Sequence, residues 1–312
     1  MPAPAITHAF APGTRGWCVA VACALEASAP KPGNVHPTVD YHDLSHRELV
    51  TAGAAIAPHL DVAPHRPLGA TILAAVEASR QVTRSNANLG IVLAIAPLAA
   101  VPDGARPTPE AVSQVLAALR PADARDCWRA IAVARPGGMG ARDRWDLAAE
   151  PPPDLLAAMR AAAGHDQIAR LWAHGYHPLF SGLVADLDRD VSAGHDLDDA
   201  IVRGFLRQLA REPDSLIARK HGPVVAAAVS DRARAVIERG SADWRAATRL
   251  LEEDLWEGRG LVGYEPPPGG TRPGTINPGT TADLVAAALY VLLATGRLQE
   301  LVPTDRFTST PG

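Results

Sequence analysis

Apolar positions recur at three- and four-residue intervals along most of the chain, and where that rhythm stops, proline and glycine cluster. A first helix is expected over 16–29, ended by Pro30, Pro32 and Gly33. Ser45 opens the second: SHRE sets Glu48 three residues beyond the serine, the spacing at which each side chain satisfies the other's backbone amide. Helical patterns follow at about 67–83 and 88–100. Within the latter, the GIVLAIAPL run from Gly90 to Leu98 is apolar throughout, so periodicity leaves it open as a buried helix or a strand. Thr108 and Pro109 suit the cap and first position of another helix. One more starts at Asp123 and stops at Pro136, Gly137 and Gly138. Helices recur at about 154–173, 178–191, 197–211, 223–239 and 242–257, with the acidic, proline-containing stretch 146–154 as a linker. Residues 264–279 hold too much proline and glycine for regular structure and read as a long surface loop or lid before a last helix, TADLVAAALYVLLATG.

Composition sharpens this picture. Much of the apolar content is alanine, the best helix former, and aromatics, which favour strands, make up only 4 %. The expectation is an all-α protein, a single large helical domain over 1–312 with closely approaching helices and a Pro/Gly-rich loop before the C-terminal one. A net charge of −4 gives no reason to expect a nucleic-acid partner, and an anionic substrate would need a local basic pocket. No apolar stretch approaches the length that spans a bilayer. Cys18, Cys23 and Cys127 cannot all pair and lack CxxC spacing, which argues against a disulfide framework or zinc site and for a reducing compartment. Arg15, the apolar run 17–25 and Ala27, Ser28 and Ala29 imitate a secretory signal. The run is short, Glu26 interrupts its end and proline follows the supposed cut, so a cytoplasmic location is expected.

Only Lys31 and Lys220 among the 30 basic residues are lysines, and each sits in a compact motif, PKPGN and LIARKHG. Where arginine has taken every other cationic position, a retained ammonium suits a phosphate or a polarised oxygen. Around Lys31, a helix ending in Glu26 passes into a proline-stiffened loop with Asn34 and His36, then Asp43. His42, Asp43 and His46 have metal-like composition, but the helix start at Ser45 falls between the histidines and denies them a shared face. Asp43 alone, just ahead of a helix, suits magnesium or general-base work, or is an ordinary turn residue.

Asn86 and Asn88 in SNANLG are candidate ligands of a base or ribose, and equally good helix caps. PGGMG, 136–140, is only loosely a phosphate loop. PDSLIARKHG places Asp214, Arg219 and Lys220 together as a phosphate clamp, or as a solvated basic helix end. NPGTTADL is the sharpest local signal: Asn277 lies in a turn, Thr280 caps, Asp283 completes a capping box, and Thr280, Thr281 and free helix amides would welcome phosphate oxygens. Asp283 would repel those oxygens unless a divalent cation bridged the two.

Taken in order, LEASAPKPGNV, Asp43, SNANLGIVLAIAPL, DARDCWRAI with PGGMG, HDQIARLW, LAREPDSLIARKHG and NPGTTADLVAAAL resemble the triphosphoribosyl-dephospho-CoA synthase family over about residues 17 to 300. The resemblance implies an all-helical transferase that joins the 5-triphosphoribosyl group of ATP to the 2′-hydroxyl of 3′-dephospho-CoA, releasing adenine, to make a prosthetic-group precursor. Synthases serving citrate lyase usually carry Asn-Thr-His-Lys-Gly where this chain has SNANLGI, and an SPGGSADL-like segment where it has NPGTTADL. These departures mark a divergent branch and leave room for a related ribosyl-alcohol acceptor or a pterin-type intermediate.

Breaking an N-glycosidic bond builds positive charge on the ribose, so a site needs carboxylates near the ring, a base for the incoming hydroxyl and donors for the departing nucleobase. On that basis Asp43 and Asp283 are assigned to magnesium or base work, with Glu26 and Asp214 in reserve. Lys31, Arg219 and Lys220 are assigned to the phosphates, and Asn34, Asn86 and Asn88 to base and sugar. A magnesium-dependent helical glycohydrolase and a non-catalytic nucleotide- or CoA-binding protein are the rival readings.

Overall fold

The computed structural model describes residues 9–135, 151–239, 244–258, 260–264 and 276–298. The PGGMG stretch, most of the 146–154 linker and most of the 264–279 loop lie outside the described residues. The rest is helical, with no strand among the described residues. Helices α1 (Arg15–Ser28), α2 (His46–Asp61), α3 (Leu68–Val82), α4 (Leu89–Ala99), α5 (Pro109–Ala117) and α6 (Pro121–Ala134) form the first part. Next come α7 (Leu155–Ala162), α8 (Gln167–Ala173), α9 (His177–Leu179), a π-helical turn (Phe180–Val184) and α10 (Ala185–Ser192). The chain continues through α11 (Leu197–Arg211), α12 (Ser215–His221), α13 (Pro223–Glu238) and α14 (Trp244–Glu257) to α15 (Gly279–Ala294).

Local chemistry sets the boundaries. Ser45 and Glu48 form the expected capping box, and Thr108 accepts from Ala111 N–H with Pro109 in the first turn. The segment expected as one helix over 154–173 is two, because Asp166 turns its carboxylate onto Ala169 N–H and caps a new start. The helix expected over 178–191 runs over 177–192 and contains the π-helical turn.

The GIVLAIAPL run is helix α4, buried on all sides, with Pro97 inside it. A proline there has no N–H for the carbonyl four residues back, Leu93. Trp172 Nε1 donates to that oxygen at 3.0 Å and the Tyr176 hydroxyl reaches it at 3.2 Å, so the orphaned acceptor is satisfied from outside the helix. This repair comes from α8 and the turn after it, far away in sequence.

Helix α15 lies at the centre, packed against α1, α4, α11 and α12, and its apolar circumference explains why it shows little amphipathic pattern. Helix α1 pairs with α2, α2 with α3 and α3 with α6 on one side, while α11 and α12 pack on α13 on the other. Small residues permit these approaches. A Cβ at Gly53 would stand 2.5 Å from Cys23 Cβ across the α1–α2 contact. One at Gly69 would stand 2.4 Å from the backbone of Asp123 across α3–α6. The three cysteines are buried free thiols, and burial pushes Cys18 up to about 11 and Cys127 up to about 12. No helix among the described residues is long and apolar enough to cross a membrane.

Candidate active site

The beginning, middle and end of the chain meet around one cavity of about 840 Å³, within the ~300–1,000 Å³ range of small-molecule sites. Gly33, in the PKPGN loop, has φ +75°, a conformation that side chains resist, and a Cβ there would meet the Ile276 carbonyl at 2.7 Å. The loop can therefore press against the segment that leads into α15. Asn34 Nδ2 donates to Asn277 Oδ1 at 2.7 Å and fastens the two together. The Tyr41 hydroxyl donates to the Gly33 carbonyl, and its ring tilts against Trp256 with centroids 5.0 Å apart.

Asp283 enters the cavity from the second turn of α15, against Gly90 of α4. A Cβ on Gly90 would lie 1.9 Å from Asp283 Oδ2, so the carboxylate occupies space that only glycine leaves open. Burial, and then the neighbouring Glu26, Asp214 and Asp166 carboxylates, raise the Asp283 carboxyl well above its ordinary range, while Arg219 opposes them. Glu26, at the end of α1, lines the same space. Asp166 lines it too, with Arg219 Nη1 3.8 Å from its Oδ2. Among the described residues Arg219 is the only lysine or arginine on the wall. The expected basic pocket is thus a mixed one in which carboxylates outnumber cations.

Several expected ligands have other work. Lys31 is fully buried, and its ammonium meets Glu26 Oε1 at 3.0 Å, the Ala29 carbonyl at 3.2 Å and the Glu26 carbonyl. Three donors are thereby spent inside the chain, and none is left for a phosphate. Its role is to hold Glu26 in place. Lys220 is exposed and off the cavity wall, and the solvated helix end describes it. Asp43, whose side chain is 60 % exposed, stands 3.7 Å from His42 on the surface and does not line the cavity, although Tyr41 and Leu44 beside it do. His46 bonds Ser28 instead, so the His42, Asp43 and His46 group makes no metal site.

Asp214 is fully buried and caps α12 through Leu216 N–H at 2.8 Å and Ile217 N–H at 3.0 Å. Its other oxygen accepts from Thr281 N–H at 2.7 Å and the Thr281 hydroxyl at 2.8 Å. These four bonds use a carboxylate's acceptor capacity, so Asp214 is a joint between α12 and α15 and not a base. Burial raises its carboxyl above the ordinary value against the pull of those bonds. The same joint overturns the phosphate reading of the α15 N-terminus. Thr280 does not cap, Asp283 completes no capping box, and the N–H groups of Gly279, Thr281 and Ala282 are all engaged within the chain. Thr281 faces Asp214, while Thr280 reaches the cavity with its hydroxyl accepting from Ser215 at 3.1 Å.

Asn86 caps α4 through Leu89 N–H at 3.2 Å and also lines the cavity. Asn88 is buried off the wall, both amide atoms lacking a partner among the described residues. The structure thus brings together Glu26, Asn34, Asn86, Arg219, Asn277, Thr280 and Asp283.

The family model for ATP:dephospho-CoA triphosphoribosyl transferase, CitG, matches residues 13–301. The chain belongs to that family. As such it is a transferase whose family activity moves the triphosphoribosyl group of ATP to dephospho-CoA. A crystal structure from Archaeoglobus fulgidus, provisionally named a triphosphoribosyl-dephospho-CoA synthase, has the same fold: TM-score 0.59 at 23 % identity, covering 79 % of this chain and 99 % of that one. No curated protein matches this triphosphoribosyl transferase homologue at a significant level. For a member of this family the sequence left Gly90, Asp166 and Trp128 unassigned, although SNANLG, HDQIARLW and DARDCWRAI contain them. The signal available for Gly90 was a glycine at the second position of an otherwise fully apolar helix, where alanine is the default.

Proposed function

We propose that the cavity binds ATP with its ribose between Glu26 and Asp283 and its triphosphate toward Arg219, and that dephospho-CoA attacks there with release of adenine. The single observation that supports this most is the pair of carboxylates facing one cavity from α1 and α15, beside the Asn34–Asn277 clasp.

The donor set fits magnesium. Asp283 and Glu26 are hard oxygen ligands, and Mg²⁺ is usually held by one or two carboxylates plus substrate phosphates. No group of three or more His, Cys, Asp or Glu among the described residues could cage a metal, so the phosphates would complete the shell. Asp283 would hold the ion, which supplies neutralisation of the triphosphate in a cavity otherwise rich in carboxylates.

The residues divide the remaining work. The acceptor 2′-oxygen bonds to C1′ of the ATP ribose as the bond to adenine breaks, and the electron pair leaves with the base. Positive charge that builds on the ring is met by the carboxylates. Glu26, positioned by Lys31, takes the proton of the 2′-hydroxyl. Asn34 Oδ1 is a buried acceptor without a partner among the described residues and suits a ribose hydroxyl.

The test is to incubate the protein with Mg-ATP, with and without dephospho-CoA, and follow free adenine by chromatography. Adenine that appears only with the acceptor is the expected result. Release with ATP alone identifies a glycohydrolase, and saturable ATP binding with no adenine identifies a binding protein.

A further inference from the structure

Part of the cavity wall is apolar. That part is built by α6 and α7, with Trp128 and Ile131 from the first and Leu155, Ala158 and Met159 from the second. Trp128 lines this apolar arm, and its indole nitrogen is buried with no hydrogen-bond partner among the described residues. An indole N–H donates and cannot accept, and leaving such a donor dry is unfavourable unless a ligand completes it. The wall therefore asks for a guest that is flat and apolar on its faces and carries an acceptor on its edge. A purine ring meets all three requirements, since its faces stack on aromatic and aliphatic side chains and its ring nitrogens accept.

We propose that this arm is an adenine-base subsite, with Trp128 the residue that recognises the ring edge. The inference rests on the transferase reading above. Adenine occurs in both ATP and dephospho-CoA, and the arm belongs to the same cavity as the two carboxylates.

The experiment measures equilibrium binding of adenine, ATP, dephospho-CoA, pantetheine and inorganic tripolyphosphate to the wild type, to Trp128→Phe and to Ala158→Leu, by calorimetry. Phe keeps an aromatic ring and removes the donor; leucine narrows the arm from α7 and serves if Trp128→Phe fails to fold. The expected result is adenine and ATP weakened by about 2- to 12-fold in Trp128→Phe, the value of one hydrogen bond, with tripolyphosphate unchanged. Weakening of adenine and dephospho-CoA with ATP unchanged also supports the subsite and gives it to the acceptor's base. Undiminished adenine binding in both variants, no adenine binding by the wild type, or weakening of pantetheine alone overturns it. So does equal weakening of tripolyphosphate. Acceptor-dependent adenine release by the wild type is read separately, so the subsite can fail while the transferase reading stands.

Discussion

Replacing Gly90 by alanine separates catalysis from folding at this site. Gly90 is the second residue of α4 and its backbone is already helical, so alanine itself favours the helix by up to about 1 kcal/mol. The added Cβ, however, falls 1.9 Å from Asp283 Oδ2, 2.4 Å from Cγ and 3.0 Å from Oδ1. Ordinary contact needs ~3.5 Å, so the carboxylate must retreat by roughly 1.5 Å. It is the end of a flexible side chain facing a cavity, and the retreat costs the fold little. Misplacing a reacting or ligating group by ~1 Å costs on the order of 100-fold in rate. Gly90→Ala is therefore expected to fold with a melting temperature within about 4 °C of wild type while acceptor-dependent adenine release falls about 100-fold or more. The assay pairs a circular-dichroism melt with chromatography of adenine. In the double variant with Asp283→Ala the glycine substitution should add nothing, because its target is gone. Wild-type turnover by a folded Gly90→Ala protein would refute the placement of Asp283 at the reacting centre.

Further outcomes follow from the same contacts. Lys31→Met leaves Glu26 buried without its ammonium and should destabilise the protein by about 3–5 kcal/mol in urea unfolding, whereas the Lys31→Met, Glu26→Leu pair should recover much of that; equal loss in both would mean the ion pair is incidental. Asp214→Ala removes a cap and strands the Thr281 donors, with an expected cost of roughly 3–5 kcal/mol, and a stable variant that merely loses activity would return Asp214 to the chemistry. Asp283→Asn should fold and lose turnover, with any residual activity requiring more magnesium; an unchanged magnesium titration curve counts against Asp283 as the ligand.

The legible part of the site is the set of segments that compose it. PKPGN, SNANLG, LIARKHG and NPGTTADL all border the same cavity, and the family they jointly resemble is the one to which the chain belongs. What the motifs did not disclose is which side chain within each faces inward. Lys31 reads as a phosphate ligand because a lone ammonium in a tight loop is chemically apt, but a loop that ends a helix also places that ammonium over the helix's own last carbonyls and Glu26. Thr280, Thr281 and Asp283 read as a capping box, yet the carboxylate that binds this helix start is Asp214, 67 residues before Thr281, which accepts from the Thr281 N–H and hydroxyl.

By itself the amino-acid order determined the helical class, the capped starts at Ser45 and Thr108, and the crowding of small residues that lets helices touch, because these depend on contacts a few residues apart. Which carboxylates share one cavity was decided only by tertiary structure. Glu26 and Asp283 are separated by almost the whole chain, and neither spacing nor residue type encodes that α1 and α15 pack together or that Gly90 clears room between them. Hydrogen-bond donors are consumed by whichever acceptor folding brings within reach, so a side chain's availability to a substrate is a property of its neighbours in space.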